Sequence, residues 1–411
     1  MASVSAASIE AARAAAEHAA RASYGRLLAV LATGSGDLAL AEDSLAEAFT
    51  AALERWPGAG VPENPEGWLI AVARNRQRDV WKSSATRANV PLERHDAGPE
   101  AWTDSPAGGL EDLDPLRIPD RRLELLFTCA HPAIDPAART PLMLQAVLGF
   151  SATQIAAAYA VPTPTMAQRL VRAKRRIARA RIPFVVPDRR GMPERLPPVL
   201  EAVYGCAAIT WRGDARSLAG EAHYLAVTLA SLLEREPEAW ALAALVTLSL
   251  ARRRPGPFVP LDEQDPTLWD ARMIDEGVSY LRLAAASGAA PGRFELEAAI
   301  QAVHLDRRRT GVTDWHAMRQ LYTALVAVAP SLGSRVALAA VIGRADAADA
   351  GLDALPPGGE QFQPWWATRA ALLARAGRAA EASDAYQHAI RLTNDAAVRE
   401  YLERRRREVG G

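Results

Sequence analysis

Cysteine is all but missing from this chain of 411 residues. Cys129 and Cys206 stand far apart, which gives no disulfide framework and fits a reducing cytoplasm. Histidine is sparse as well: seven residues are scattered along the chain, and only Cys129 and His131 fall at a spacing suited to a metal. No second Cys/His pair lies near them, so no metal site is expected and Cys129 reads as a small buried thiol. A glycine-rich phosphate loop and a nucleophile elbow are both lacking, so no catalytic residue, cofactor or enzymatic reaction is expected. No apolar run approaches the ~20 residues that span a bilayer. The opening MASVSAASIEAARAAAEHAA is alanine-rich and broken by charges, unlike a signal peptide. The expected location is therefore the cytoplasm, with no membrane partner. Net charge is also lacking, since 48 basic residues face 48 acidic ones, which excludes a uniformly basic coat and leaves local clustering as the informative quantity. Only Lys82 and Lys174 are lysines; arginine carries the remaining positive charge. Alternating β-branched runs are too short for a sheet, and the predicted fold class is all-α.

What the chain does contain is helical periodicity, and it is most telling between Ser151 and Arg181, SATQIAAAYAVPTPTMAQRLVRAKRRIARAR. Ser151 with Gln154 forms a capping box, predicting a helix that buries Ile155 and Tyr159. Ala160-Val161-Pro162 stops it. Thr163 is predicted to cap a second helix, with Pro164 at the first helical position, where its missing N–H costs nothing and its fixed φ suits a new helix. Met166, Leu170, Ala173 and Ile177 then recur as a buried stripe, while Gln168, Arg172, Arg175 and Arg179 line another face. From Thr163 to Arg190, nine basic residues meet the single acid Asp188. Solvated helix faces usually mix signs. Capping, turn and charge together predict a DNA-binding helix-turn-helix.

The chain falls into segments: an N-terminal helical extension at 1–19, a compact helical block at 20–87, a Pro/Gly-rich acidic linker at 88–118, the helix-turn-helix domain at 119–183, a proline-marked connector at 184–193, and a long helical tail at 194–411. In the tail, Trp366, Leu373, Gly377, Ala382, Tyr386 and Ala389 fall near the spacing of a tetratricopeptide unit, and a weaker register runs from Glu238 to Arg252. Stacked helical repeats are predicted, because one repeat cannot bury its own face.

Two segments of the first block carry further signals. In DLALAEDSLAEAFTAALERW, Leu38, Ala41, Leu45, Ala48, Phe49, Ala52 and Trp56 form an apolar side, and Glu42, Asp43 and Glu47 an acidic one. In NPEGWLIAVARNRQRDVWKSSATR, Trp68, Leu69 and Val72 read as core, and Arg74, Asn75, Arg76, Arg78, Lys82 and Arg87 as a basic, amide-bearing surface. With Trp81 it is suited to a splayed single strand, although a solvated helix accounts for it equally well.

Taken in order, these parts resemble bacterial sigma factors of the extracytoplasmic-function group. LAEDSLAEAF is similar to their polymerase-binding helix, NPEGWLIAVARNRQRDV to their −10 reader, and SATQIAAAYAVPTPTMAQRLVRAKRRI to their −35 reader. The tail, with VPLDEQDPTLWD and FELEAAIQAVH, resembles the subgroup bearing a C-terminal tetratricopeptide-like extension. Ala46 stands where the family usually carries glutamine. The resemblance implies core RNA polymerase and promoter DNA as partners. It places polymerase contacts at Glu42, Asp43 and Glu47, and −10 contacts at Asn75, Arg76, Arg78, Trp81 and Lys82. In the −35 reader it implies base contacts from Ala167, Gln168, Val171 and Arg172. Backbone contacts would come from Thr165, Arg169 and Lys174, with Arg175 adding to the basic face. Glu93, Asp96, Glu100, Asp104, Glu111, Asp112 and Asp114 of the linker would thread the polymerase's basic channels. The tail is expected to modulate activity and to bind a protein or peptide ligand. Two other readings stand beside this one: a stand-alone helix-turn-helix regulator, and an interaction scaffold with an inactive sigma-like half.

Overall fold

The computed structural model describes residues 5–88, 121–159, 161–187, 191–210, 216–252 and 258–410, and their regular structure is helical throughout. The linker acids from Glu93 to Asp114 lie outside the described residues. Two compact units divide the chain, residues 1–225 and residues 226–411.

The first unit begins with three long helices, α1 (Ala6–Ser35), α2 (Leu38–Ala59) and α3 (Pro65–Ala88), which pack on one another. Polar caps set their starts. Asp37 accepts hydrogen bonds from the Ala39 and Leu40 N–H groups at 2.9 and 3.2 Å, and Asn64 accepts from Gly67 N–H at 2.9 Å just before Pro65. The α2 stripe Leu38, Ala41, Leu45, Ala48, Ala52 and Trp56 is buried as its spacing predicts. Trp56 meets Trp68 edge to face, with ring centroids 5.4 Å apart. Trp68 and Val72 are only half-buried, however, and the α3 core is Leu69, Ile70, Ala73 and the side chain of Gln77.

Four helices follow: α4 (Arg122–Cys129), α5 (Pro136–Ala146), α6 (Ala152–Ala158) and α7 (Thr163–Arg179). The predicted capping box of Ser151 and Gln154 is present on α6. Ile155 is buried, but Tyr159 ends this short helix and is 41% exposed. Thr163 is the first helical residue rather than the cap, since Pro162 takes the capping position without a side-chain bond. The α7 stripe Met166, Leu170, Ala173 and Ile177 is buried as predicted.

The next helix, α8 (Met192–Thr210), packs on α4 and α5, and thus belongs to the first unit. The prolines from 183 to 193 therefore do not mark the division. Ile182 and Phe184 are buried, the Thr128 hydroxyl donates to the Pro183 carbonyl at 3.2 Å, and Arg122 pairs with Glu221 in α9 (Arg216–Leu233). The division falls inside α9.

The second unit continues with α10 (Pro237–Ala251), α11 (Ala271–Ala285), α12 (Arg293–Leu305), α13 (Arg307–Thr310), α14 (Trp315–Val328), α15 (Leu332–Ala345), α16 (Ala348–Asp353), α17 (Gln363–Arg375), α18 (Ala379–Leu392) and α19 (Ala396–Gly410). Each packs chiefly on its neighbours in the chain, α10 on α11 and α12, α14 on α15, α17 on α18, α18 on α19. Leu373, Ala382, Tyr386 and Ala389 share one core between α17, α18 and α19, with Trp366 packed against it. Gly377, at φ 75°, supplies the left-handed turn between α17 and α18.

Candidate nucleic-acid interface

The apolar stripe of α7 faces its neighbours, so the helix must present its other side outward. Thr165, Gln168, Val171, Arg172 and Arg175 are exposed, Ala167 and Arg169 half-exposed. Val171, an apolar residue 45% exposed amid these charges, is free to meet a ligand surface. On α3, Asn75, Arg76, Arg78, Trp81 and Lys82 are all exposed, the Trp81 ring by 42%. The neighbouring Arg74 guanidinium has its pKa lowered by burial and by the charge of Arg78.

Helix α2 connects these two surfaces. Its acidic side holds one cation from each helix: Glu47 pairs with Arg76 of α3 at 2.7 Å, and Glu42 pairs with Lys174 of α7 at 2.5 Å. The two pairs differ in kind. Glu47 and Arg76 are both more than half exposed, and such a pair contributes ~0–1 kcal/mol. Glu42 and Lys174 retain 17% and 13% exposure, so both lose most of their hydration. Burial raises the Glu42 pKa more than Lys174 lowers it, and the nearby Asp43 adds to the rise. The same burial, together with the Glu42 charge, raises the pKa values of Tyr24 and the Cys129 thiol.

The expected acidic face of α2 is thus only partly open. Asp43 and Glu47 face solvent, whereas Glu42 and Lys174 are covered because α7 packs over α2. Helices α1–α3 and α4–α7 therefore form one packed body. At its tightest point, a Cβ placed on Gly25 of α1 would fall 1.8 Å from the Val147 carbonyl oxygen, so only glycine permits this approach. Gly25 and the Glu42–Lys174 pair are the structural residues that sequence reasoning missed. The one available signal was the scarcity of lysine, which makes a lysine within an arginine-rich helix an exception.

Residues 195–285 match a family of unknown function (DUF6596). Over 381 residues the chain is 34% identical to an uncharacterized protein of Rhizobium meliloti (strain 1021), and the match covers 89% of each. The chain belongs to the family of that protein. No solved structure matches it. The shared length takes in parts of both units, and the 195–285 match runs from α8 to α11 across their division. Among the described residues, no helix is long and apolar enough to cross a membrane.

Proposed function

We propose that this protein is a sigma factor of the extracytoplasmic-function group, acting in the cytoplasm without catalysing a reaction itself. The observation that carries the reading is the division of α7 into a buried stripe and an outward face of Gln168, Val171, Arg172 and Arg175 with no acidic side chain among them. Such a face suits the major groove. Glutamine can pair bidentately with adenine, arginine with guanine, and valine can cover a thymine methyl group. On α3, Trp81 would stack on an unpaired base, and Asn75 would bond the edge of a flipped −10 base, with Arg76, Arg78 and Lys82 holding its backbone. Asp43 and Glu47 would meet the polymerase.

In this reading the described arrangement is a closed form. Lys174 reaches phosphate only after leaving Glu42, and Arg76 reaches the −10 strand only after leaving Glu47. Burial and the Lys174 charge act on the Glu42 carboxylate in opposite directions, and opening would return both groups to water. The second unit would be the tetratricopeptide-like domain that modulates activity. Transcription with purified core RNA polymerase tests the proposal: promoter-specific initiation is the expected result, with Asn75→Ala impairing permanganate-detected opening of the −10 region. No initiation, together with dimeric operator binding by the protein alone, would replace this reading with a stand-alone regulator.

A further inference from the structure

From Phe258 to Trp269 the chain lies outside the α-helices and reaches α15 and α19. The segment from Phe258 to Trp269, FVPLDEQDPTLW, is extended apart from two single turns at Leu261–Glu263 and Pro266–Leu268. Its root is fixed. Trp269 is buried with Leu248 and Leu305, and the Arg307 guanidinium lies 5.1 Å over its ring. Arg307 also donates to the carbonyls of Leu261, Asp262 and Gln264 at 2.9, 2.9 and 2.5 Å. Those bonds grip backbone and ignore the identity of the side chains.

Arg307 thus holds the backbone of the tip, whose side chains are held differently, by charge and by helices far along the chain. Asp262 pairs with Arg344 of α15, which also lies 5.3 Å over the Trp315 ring. Glu263 accepts from the Tyr401 hydroxyl of α19 at 2.8 Å and stands 3.8 Å from Arg404. Phe258 meets the Tyr401 ring edge to face at 5.5 Å yet stays 39% exposed. All four charged partners at the tip are partly open to solvent, and pairs of that kind hold weakly.

We propose that the face carrying Arg344, Tyr401 and Arg404 is a docking groove for an extended acidic peptide of a partner protein. The tip of this segment is its resident occupant in cis. An aromatic residue followed four and five positions later by carboxylates would reproduce every tip contact, and Arg307 would take the backbone of any sequence. An incoming peptide takes over the Arg307 bonds as it displaces the tip, while Trp269, buried with Leu248 and Leu305, keeps the root in place. The inference stands on the second unit alone and is independent of the sigma-factor reading.

Fluorescence anisotropy of a labelled peptide of residues 258–265, FVPLDEQD, tests this on the full chain. The Asp262→Asn, Glu263→Gln double variant, whose tip is loosened, should bind the peptide at least ten-fold more tightly than the unaltered chain. Adding Arg344→Ala and Arg404→Ala should abolish the gain, and a peptide with Asn and Gln at the two acidic positions should not bind. Equal binding to loosened and unaltered chains, or no binding to either, overturns the proposal. Retention of the gain without the two arginines does so as well, and so does competition by oligo-dT equal to that by unlabelled peptide. Should the double variant fail to fold by circular dichroism, Glu263→Gln alone, which keeps the Asp262–Arg344 pair, must give at least a three-fold gain for the proposal to stand.

Discussion

Arginine is used in opposite ways by α7 of the first unit and by the helices of the second. In the second, acids answer it at close range: Arg293 with Glu297 at 2.8 Å, Arg319 with Asp346 at 2.7 Å, Arg378 with Glu381 at 2.6 Å, Arg405 with Glu408 at 2.8 Å. The first unit also pairs Arg26 with Glu66 and Arg122 with Glu221, but Arg172, Arg175 and Arg179 of α7 point outward with no ion pair among the described residues, and the acids of α2 reach Lys174 and Arg76. One genome supplied both compositions, so arginine richness by itself does not explain the bare basic face of α7. The second unit shows what arginines on helices look like when they serve solubility and local pairing. On α7 the outward arginines are left without an acidic partner among the described residues.

The contrast can be broken most severely at Gly25. Gly25→Ala is expected to destabilise the first unit by about 3 kcal/mol, since the added carbon meets a backbone carbonyl that cannot rotate away. Urea unfolding followed at the first unit's tryptophans measures this, and a loss below ~1 kcal/mol would show that α1 slides freely.

Acid should affect the second unit more. Burial, aided by the charges of Arg252 and Arg307, lowers the His304 pKa to about 4. The unfolded chain therefore binds a proton near pH 6.5 that the folded one refuses until about pH 4. Stability is intact above that window and falls as pH drops through it, by up to about 3 kcal/mol. His304→Phe should flatten the pH dependence of thermal unfolding. Glu42 has the opposite sign: its folded pKa is raised by burial, so the stability of the first unit rises as pH falls through that raised value toward the ordinary carboxylate range.

A smaller effect is expected at the α2–α7 pair. Lys174→Ala leaves the covered Glu42 carboxylate without its cation and should cost ~2–3 kcal/mol, whereas Glu42→Gln should be close to neutral because it also removes the solvation penalty. Equal losses from the two substitutions would mean that the pair is a net stabiliser and the closed form is not easily opened.

The smallest stability changes sharpen the comparison directly. Arg172→Ala should leave the melting temperature unchanged and cost ~1–3 kcal/mol of binding at one position of a −35 sequence. Arg319→Ala should cost under ~1 kcal/mol of stability and leave DNA binding untouched. A base-substitution series paired with calorimetry separates them.

Local chemistry explains which features were legible beforehand. The capping box at Ser151 and the α7 stripe depend on residues three or four apart, and both are present. The α17–α18 hairpin was readable for the same reason, its Gly377 turn included. Tyr159 and Thr163 were misplaced by one structural role each, because a seven-residue helix has too few turns to define a face and a proline competes for the capping position. The Glu42–Lys174 pair joins residues 132 positions apart and Tyr401–Glu263 residues 138 apart, and no periodicity carries information over such distances. In VPLDEQDPTLWD the resemblance marks the segment, but nothing in its spacing shows that Arg344 and Tyr401 are brought against its acids.

The scarcity of lysine has a practical consequence. Side-chain amines occur at only two places, Lys82, exposed on α3, and Lys174, covered by α2. An acylating reagent added to the native protein would therefore mark Lys82 at once and Lys174 only as often as α7 lifts from α2. The ratio of the two labels, read by mass spectrometry, is a clock for that opening built from the protein's own side chains.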